Sequence, residues 1–585
     1  MNIFFSQKRN WFFLAFAVVL IVGIFLRSYE FSDWMHYQLD QARDVLIVDV
    51  AHEYGPGELP LQGPRAAGSF LRLGPAHYYL SYLGSLFFGV SPAGASAYVL
   101  VFSVLAIPLF YFFARRFFSS WLSLGLTALF SCSLFLVSYS RFLWNPNTLP
   151  FFVLLYFYGL LRVVDIAEER RGWWLIIAAG ALGIASQLHF IAFVTLPIAG
   201  VVILLARRPR IAFRSWFVAI GLVLFLYVPV IINDVKTGGD NAREFFSVAF
   251  SRAEDEEGNS HTLVEKVVRN VTEHSLASWL LLTGEQSAEL FQTRPIEGQS
   301  VFFDIRCDRG CRDGLWLGGV SLGLFMSFFV ALALLWMRER DGRRRDFLLV
   351  VSVWFGVLFV FFLPMAFDFS PRFFLLFAPL VFVFLGFVLH IVLQSLPKKL
   401  GRSFTIGLVS VSLLSNLVYV GVYFSELSRS SWDSTLSIGT DRILKEKIRV
   451  TLEQQNAIVD YLSGAYEQEP RPFFVHGQAE YKRAFWQLIE ARDLPRESLS
   501  LEKIYRDAYY VVIVRTQSDL DAYIKKYLEV FNLVEKKEFG TLTVFLMEAK
   551  PEAVTAERKK PRVDSRDPQF SPGVQVRYLW RQVFE

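Results

Sequence analysis

Apolar runs long enough to cross a lipid bilayer recur through most of this chain, and they constrain its fold more than any other feature. About 18 or more consecutive apolar residues cross the hydrocarbon core as a helix. Composition agrees, since 54% of the 585 residues are hydrophobic and 59 are phenylalanine. The sequence therefore predicts a polytopic α-helical membrane protein. The apolar runs lie at 11–27, 75–89, 95–114, 119–139, 148–163, 173–188, 190–206, 215–232, 315–337, 347–367, 373–395 and 403–424.

Basic loops between the runs predict the orientation. Lysine and arginine cluster at 114–118, 168–172, 207–214, 338–346 and 397–402, and such loops lie in the cytoplasm. They share one side with the N-terminus only if the run at 75–89 does not cross the membrane. That run is short, broken by Gly84 and rich in tyrosine, which is typical of an interfacial helix. We therefore expect about eleven transmembrane helices in the plasma (inner) membrane, with the N-terminus in the cytoplasm.

The remaining segments fall on the outer side in this topology. The predicted transmembrane domain spans 1–424, and it includes a first outer loop at 28–94, with interfacial helices, and a large outer loop at 233–314. Residues 425–550 alternate apolar strands with charged helices, which predicts a small extracytoplasmic α/β domain. Residues 551–585 are expected to be a disordered tail.

Two cysteines and the dispersed basic residues allow narrower expectations. Cys307 and Cys311 lie in the large outer loop, close enough for a disulfide across a turn in an oxidising compartment. Two lone thiolates make a poor metal site, so a disulfide is the preferred interpretation. Because the basic residues are scattered over short loops, the net charge of +5 does not indicate nucleic acid as a partner.

Polar residues gather at the outer ends of the predicted helices. Asp40, Arg43 and Asp44 stand at i, i+3 and i+4, so they share one helix face. Charge at membrane depth is costly, so a cluster of such residues indicates a functional cavity. For a single residue an ordinary structural role is simpler: a solvated ion pair, a snorkelling arginine or a helix cap. The other residues on this side are Arg65, Arg72, His77, Arg141, Asn145, Gln187, His189, Asp368 and Arg372.

Carboxylates beside arginines suit the transfer of a group that is linked to phosphate. A carboxylate can take the proton of an acceptor hydroxyl, and arginines can stabilise a departing phosphate. The sequence contains no GxGxxG, no P-loop and no cytoplasmic loop large enough to bind a nucleotide. A sugar donor used on the outer face is therefore expected to be a polyprenyl-phosphate sugar held in the bilayer. Asp40 is the preferred base and Asp44 the second candidate.

The motifs at these residues resemble the bacterial glycosyltransferase family 39, with its RgtA/B/C/D-like members, of the GT-C superfamily. Relatives include protein O-mannosyltransferases and the aminoarabinose transferase of lipid A. The resemblance rests on the order of loose motifs along residues 10–425. They are an Asp-x-x-Arg element at 40–43, "LPLQGP" (59–64), "LGPAHYYL" (73–80), "SRFLWNPNTLP" (140–150), "QLHF" (187–190) and "PRFFLLFAPL" (371–380).

The resemblance implies a GT-C fold and an inverting sugar transfer to a hydroxyl of an envelope glycan, lipid or protein. It implies that Asp40 is the base or a metal ligand, and that Arg43, Arg72 and Arg372 bind the donor phosphate. Substrate contacts are expected from His77, Arg141, Asn145, Gln187, His189 and Asp368. Relatives often carry a second acid where this chain has asparagine, at 145 and 147. A divalent cation therefore stays open as a cofactor.

Two other functions remain as alternatives. A lipid-linked glycan transporter or flippase would place ionisable residues near mid-span, within internal repeats. A glycan polymerase or ligase that uses lipid-diphosphate donors would carry similar arginines, together with one very large outer loop between late spans. The sugar, the acceptor and the role of 425–550 are left open by the sequence.

Overall fold

The computed structural model of the protein describes residues 2–66, 71–250, 261–290, 311–516, 518, 520–555 and 577–584. The helices of the first half are α1 (Asn2–Ser28), α2 (Leu39–Tyr54), α3 (Ala76–Phe88), α4 (Pro92–Ala114), α5 (Ser120–Cys132), α6 (Leu134–Tyr139), α7 (Leu149–Val164), α8 (Arg171–Leu188), α9 (Phe190–Arg207), α10 (Phe213–Lys236), α11 (Asp240–Phe250) and α12 (Leu263–Thr283).

Further helices follow in the second half, together with five strands. The helices are α13 (Cys311–Arg338), α14 (Gly342–Phe362), α15 (Ala378–Ser395), α16 (Lys398–Arg429), α17 (Leu452–Gln468), α18 (Ala479–Glu490), α19 (Leu520–Leu528) and α20 (Arg581–Phe584). The strands are β1 (Phe473–Gly477), β2 (Arg496–Ser498), β3 (Tyr509–Arg515), β4 (Phe531–Phe539) and β5 (Leu542–Ala549). Short 3-10 helices lie at Pro56–Glu58, Asn145–Thr148, Pro371–Leu375 and Pro551–Ala553.

Nine helices within the described ranges are long and apolar enough to cross a membrane. They are α1, α4, α7, α9, α10, α13, α14, α15 and α16. The two other predicted spans are also helical: 173–188 is α8, which packs between α7 and α10, and 119–139 is divided between α5 and α6. The chain is therefore an integral membrane protein with a mostly helical body.

The span predicted at 119–139 is broken at Ser133, and a buried asparagine of α16 satisfies the break. Oδ1 of Asn416 accepts the free backbone N–H of Leu134 at 2.9 Å, while its Nδ2 donates to the carbonyl of Leu282 at 2.7 Å. The hydroxyl of Ser133 donates to the carbonyl of Leu281 at 2.9 Å. Unpaired backbone groups are costly where water is absent, so these contacts let two short helices replace one continuous span.

Helix α3 covers the run at 75–89 and is too short to cross the membrane. Its 13 residues reach about 20 Å at the usual helical rise, against about 30 Å of hydrocarbon. One face packs against α4, and the other exposes large apolar side chains. This amphipathic form fits a helix that lies flat at the membrane surface. The exposed side chains are Leu83, Leu86, Phe87 and Phe88.

The C-terminal domain is built on a five-stranded mixed sheet with the order β2-β1-β3-β5-β4. β1 pairs in parallel with β2 and β3, whereas β5 pairs antiparallel with β3 and β4. The central strand β3 is buried on both faces, which explains its continuous apolar sequence "YYVVIV". This is the small α/β domain that the sequence predicts.

Direct hydrogen bonds join this domain to the segment around α2. The hydroxyl of Tyr37 donates to Oε1 of Gln487 on α18 at 2.7 Å, and Nε2 of Gln487 donates to Oδ2 of Asp49 on α2 at 2.9 Å. Nε2 of Gln455 on α17 donates to the carbonyl of Tyr37 at 2.8 Å. The C-terminal domain is thus fixed directly over α2.

The end of the chain differs from the expected disordered tail. Residues 577–584, the C-terminal strap, run beside the first outer loop, where Pro60 and Leu579 form an antiparallel bridge. The backbone N–H of Leu61 donates to the carbonyl of Tyr578 at 2.9 Å. Backbone pairing with a distant loop, rather than local sequence, orders this segment. The disulfide predicted between Cys307 and Cys311 stays a prediction, because Cys307 and the side chain of Cys311 lie outside the described residues.

A buried arginine between α16 and α17 links the membrane helices to the C-terminal domain. The guanidinium of Arg449 is 5% exposed and contacts three carboxylates at 2.5–3.0 Å: Glu426, Asp441 and Glu446. It also stacks 4.9 Å from the ring centre of Tyr423. Removing one partner of such a network leaves uncompensated buried charge, which costs about 3–5 kcal/mol.

We expect Arg449→Met to lower the free energy of unfolding by about 3–5 kcal/mol, because three carboxylates lose their cation. Arg429→Ala is the control, since Arg429 is 45% exposed and pairs with Asp433 alone; it should cost about 1 kcal/mol or less. Tryptophan fluorescence during urea unfolding in detergent measures both variants. Equal stability of the two variants would contradict the role given to Arg449.

Candidate functional site

Asp40, Arg43 and Asp44 form an ion-paired group on the first two turns of α2. Nη1 of Arg43 donates to Oδ1 of Asp40 at 2.9 Å, and its Nε donates to Oδ1 of Asp44 at 2.8 Å. The helix begins where the backbone N–H of Gln38 donates to Oε1 of Gln41 at 3.1 Å. One guanidinium thus holds both carboxylates on the face that their spacing predicts.

Asp44 is the buried end of a hydrogen-bonded chain that joins three helices. Its side chain is 0% exposed, and Oδ2 lies 2.9 Å from Nε2 of His77 on α3. Nδ1 of His77 lies 2.6 Å from the hydroxyl of Tyr98 on α4. Burial alone would raise the pKa of Asp44, but Arg43 and His77 outweigh it and hold the pKa below its ordinary value.

The two carboxylates therefore differ in what they can do. Both oxygens of Asp44 are engaged and inaccessible, so Asp44 positions Arg43 and is not open to an acceptor. His77 is also 0% exposed, so it supports Asp44 instead of contacting substrate. Asp40 is 39% exposed, and its Oδ2 has no hydrogen-bond partner among the described residues. Asp40 is the carboxylate that can reach an incoming hydroxyl.

Arg372 lies in the 3-10 helix before α15 and presents an open guanidinium. Its central carbon sits 4.8 Å from the ring centre of Trp144 and 5.7 Å from that of Phe373. Within the described chain its guanidinium makes neither a hydrogen bond nor an ion pair. Burial lowers the pKa of Arg372, whereas Tyr139 and Asp40 act in the opposite direction. Asp40 and Arg372, far apart in sequence, are thus within electrostatic reach of each other.

Arg72 is a second arginine whose charge is poorly compensated. It is 8% exposed, its Nη1 donates to the carbonyl of Gly63 at 3.4 Å, and its Nε is buried without a partner. Its backbone N–H donates to Oδ1 of Asn241 at 2.8 Å. Burial, then Arg577, then two further arginines lower the pKa of Arg72 to about 10. Such a group is suited to bind an anion.

Arg141, expected to contact substrate, has a structural position instead. Its side chain is 1% exposed, and its guanidinium donates to four backbone carbonyls at the end of α1 at 2.7–3.2 Å. An arginine in this position satisfies carbonyls that helix geometry leaves unpaired. The carbonyls belong to Leu26, Arg27, Tyr29 and Glu30.

Gln187 is also occupied by the backbone. Its Nε2 donates to the carbonyls of Gly183 and Leu226 at 3.0 Å each, and its Oε1 accepts the N–H of Ala76 at 3.3 Å. The side chain is 2% exposed. It ties α8 to α10 and to the start of α3, which leaves no open polar atom for a substrate.

The three other expected contacts lie at the edge of the group. Nδ2 of Asn145 donates to the carbonyl of Leu188 at 2.5 Å. Nδ1 of His189 accepts the backbone N–H of Ile191 at 3.2 Å, so His189 caps α9 as the simpler interpretation proposed. Asp368 is exposed in the turn after α14. Asn145 thus ties the turn that follows Trp144 to the end of α8, and His189 stabilises the start of α9.

Two arginines join the group that the sequence did not indicate. Arg483, on α18, is half-buried; burial and Arg43 lower its pKa, and Asp40 raises it. Arg577, on the C-terminal strap, has its guanidinium carbon 5.5 Å from the ring centre of Tyr78. In the sequence Arg483 is one charge of an amphipathic helix and Arg577 lies in an expected tail. Their place in the fold is what distinguishes them.

A metal ion was left open as a cofactor, and the donor set does not fit one. Asp40 and Asp44 both bind Arg43, so a cation already occupies the space between their facing oxygens. No group of three or more His, Cys, Asp or Glu side chains in the described ranges is arranged to hold a metal ion. The groups of this site that can take part in chemistry are its own accessible carboxylate and its arginines.

Comparisons with known proteins agree with this architecture. Residues 73–232 match the family described as dolichyl-phosphate-mannose-protein mannosyltransferase. The fold is similar to that of crystal structures of ArnT from Cupriavidus metallidurans, one bound to undecaprenyl phosphate (14% identity, TM-score 0.53, covering 94% of this chain and 99% of that one) and one in the apo state (13%, 0.53, 94% and 100%). No curated protein matches the chain at a significant level. The GT-C fold implied by the motif resemblance is confirmed.

We expect Asp44→Asn to lower stability at neutral pH by about 3–5 kcal/mol, because Arg43 loses its buried partner. The folded-state pKa of Asp44 is depressed below its ordinary value of 3.8, so its contribution is full above that value and is lost as the pH falls further. The difference between wild type and variant should therefore shrink below about pH 4.

Thermal unfolding between pH 7 and pH 3 measures this difference. Asp40→Asn is the matched control, since Asp40 pairs with the same Arg43 but is 39% exposed; its effect should stay near 1 kcal/mol or less. A constant difference between wild type and Asp44→Asn across this pH range would exclude the charge of Asp44 as the cause.

Proposed function

We propose that this protein is a glycosyltransferase that moves a sugar from a polyprenyl-phosphate donor to an acceptor hydroxyl at the outer face of the membrane. The observation that carries the proposal is the pairing of one accessible carboxylate with open guanidinium groups. Asp40 offers a free oxygen, and Arg372 and Arg483 face it without a hydrogen-bond partner in the described chain.

In the proposed reaction Asp40 is the base. Its free Oδ2 takes the proton from the acceptor hydroxyl as the acceptor oxygen bonds to the anomeric carbon of the sugar. The bond from that carbon to the donor phosphate oxygen breaks at the same time, and the electron pair leaves with the polyprenyl phosphate. A single displacement from the opposite face inverts the anomeric configuration.

The arginines are suited to stabilise the leaving phosphate. Negative charge on the phosphate grows as the glycosidic bond breaks, and preorganised guanidinium groups bind that charge more strongly than the starting diester. Arg43 is held by Asp44, so its position does not depend on the substrate. The guanidinium of Arg372 lies over the ring of Trp144, and its N–H groups have no hydrogen-bond partner among the described residues, so they are available to a phosphate.

A lipid-borne donor is supported by the setting of the site. The exposed apolar face of α3, the helix that also carries His77 and Tyr78, is suited to lie at a membrane surface next to the ion-paired group. The GT-C fold is shared with ArnT bound to undecaprenyl phosphate, and the matched family takes its name from a dolichyl-phosphate sugar. A polyprenyl chain lying in the outer leaflet would bring its phosphate to the depth of Arg43.

Asp40→Asn tests the base. We expect it to abolish sugar transfer, because an amide cannot accept the proton, while undecaprenyl phosphate still binds. Envelope glycans and glycoproteins of cells that lack the protein are compared with those of cells supplied with wild type or variant. The variant should resemble the strain without the protein. The control is Asp33→Asn, an exposed carboxylate just before α2, which should behave as wild type.

Full restoration of the envelope glycans by Asp40→Asn would remove Asp40 as the base. Loss of undecaprenyl phosphate binding in the same variant would point to a misplaced Arg43 as the reason for inactivity. The binding measurement is therefore made on the purified variant before its activity is interpreted.

The proposed orientation places α3 outside. In a background without reactive cysteine, Leu83→Cys should react with a membrane-impermeant maleimide in intact cells, since Leu83 is 48% exposed on α3. Arg210→Cys, in the basic loop between α9 and α10, should react only after permeabilisation. The reverse labelling pattern would contradict the orientation.

A further inference from the structure

The C-terminal strap is fixed against the first outer loop by several independent contacts. The backbone N–H of Trp580 donates to the carbonyl of Leu59 at 3.2 Å, and its indole N–H donates to the hydroxyl of Tyr79 on α3 at 2.8 Å. The backbone N–H of Tyr578 donates to Oδ1 of Asn233 on α10 at 3.0 Å. These bonds set the position of the backbone immediately after Arg577.

Arg577 is thereby held beside Tyr78, the neighbour of His77 on α3. Its guanidinium carbon lies 5.5 Å from the ring centre of Tyr78. Burial and Asp44 raise the pKa of Tyr78, whereas Arg43 and Arg577 act in the opposite direction. Tyr78 therefore lies between the ion-paired group on α2 and the arginine at the end of the chain.

The charge around Arg72 is unbalanced. Arg577 is the strongest of the charged groups that act on Arg72, and no carboxylate is among them. Arg72 is itself 8% exposed, with Nε buried and unpartnered. The strap and Arg72 contact the same short segment: the N–H of Leu61 donates to the carbonyl of Tyr578 at 2.9 Å, and Nη1 of Arg72 donates to the carbonyl of Gly63 at 3.4 Å. Two guanidinium groups carried on either end of one segment are suited to bind an anion.

The other arginine of the strap shows the contrast. Nε of Arg581 lies 3.2 Å from Oε1 of Glu58, so the charge of Arg581 is compensated within the protein. Arg577 makes no ion pair with a carboxylate of the described chain. In the strap, Arg581 therefore forms an ion pair with the first outer loop, whereas Arg577 is available to bind an anionic ligand.

We propose that Arg72 and Arg577 together form a phosphate-binding subsite, which the end of the chain completes. Its ligand is the phosphate group of the polyprenyl-phosphate donor, so the inference rests on the proposed function and adds a residue to it. Arg577 binds the phosphate directly through its N–H groups. The strap therefore contributes to substrate affinity as well as to structure.

Binding of undecaprenyl phosphate to the full-length protein in detergent tests this subsite. We expect Arg577→Ala to weaken binding about tenfold, as the loss of a charge-assisted hydrogen bond does. Arg577→Lys keeps the charge and should recover part of the affinity. Arg581→Ala is the matched control from the same strap and should bind within about twofold of wild type.

A double-mutant cycle separates ligand binding from strap structure. If Arg72 and Arg577 hold one phosphate, Arg72→Ala combined with Arg577→Ala should weaken binding by less than the product of the two single effects. Thermal unfolding without lipid should differ by about 1 kcal/mol or less between Arg577→Ala and wild type, since Arg577 pairs with no carboxylate of the described residues and loses only its contact with the ring of Tyr78.

The outcomes distinguish this inference from the proposed function. If wild type fails to bind undecaprenyl phosphate, the proposed donor class is wrong and the subsite falls with it. If wild type binds and Arg577→Ala binds equally well, the subsite alone is wrong. If Arg577→Ala and Arg581→Ala weaken binding equally, the strap acts through its structure and the direct role of Arg577 is overturned.

Discussion

The structure around the site depends on one fully buried carboxylate. Asp44 is charged at 0% exposure because Arg43 neutralises one oxygen and His77 contacts the other, and an uncompensated charge there would cost several kcal/mol. The arrangement fixes α2 against α3, and Tyr98 extends it to α4. Arg43 is thus held on both sides by carboxylates, and Asp40, which shares that guanidinium, keeps one oxygen without a partner among the described residues.

The polar residues that the sequence places at one end of the membrane helices divide into two groups by what they contact. Arg141 and Gln187 are occupied by backbone carbonyls that helix ends and close helix packing leave unpaired. Asp40 and Arg372 keep atoms without partners in the described chain and lie within reach of each other's charge. The first group stabilises one end of the helix bundle, and the second is available for chemistry.

Two parts of the chain after α16 lie against the helices that carry the candidate site. The C-terminal domain is fastened to α2 through Gln487, and from the same helix Arg483 faces Asp40. The C-terminal strap passes beside α3 and brings Arg577 to Tyr78. The C-terminal domain is thus attached to α2, which carries the ion-paired group, and the strap is attached to α3, which carries His77.

The sequence by itself predicted the membrane helices, the short helix α3, the small C-terminal α/β domain and the shared face of Asp40, Arg43 and Asp44. These features are local, because they follow from run length, amphipathic spacing and strand pattern. The tertiary structure decided that Asp44 is buried while Asp40 is accessible, and that Arg141 donates hydrogen bonds to the carbonyls at the end of α1. It also decided that Arg483 and Arg577, from distant parts of the chain, lie near the site. Each of these depends on partners distant in the chain, and no local pattern encodes which carbonyl or carboxylate a side chain will meet.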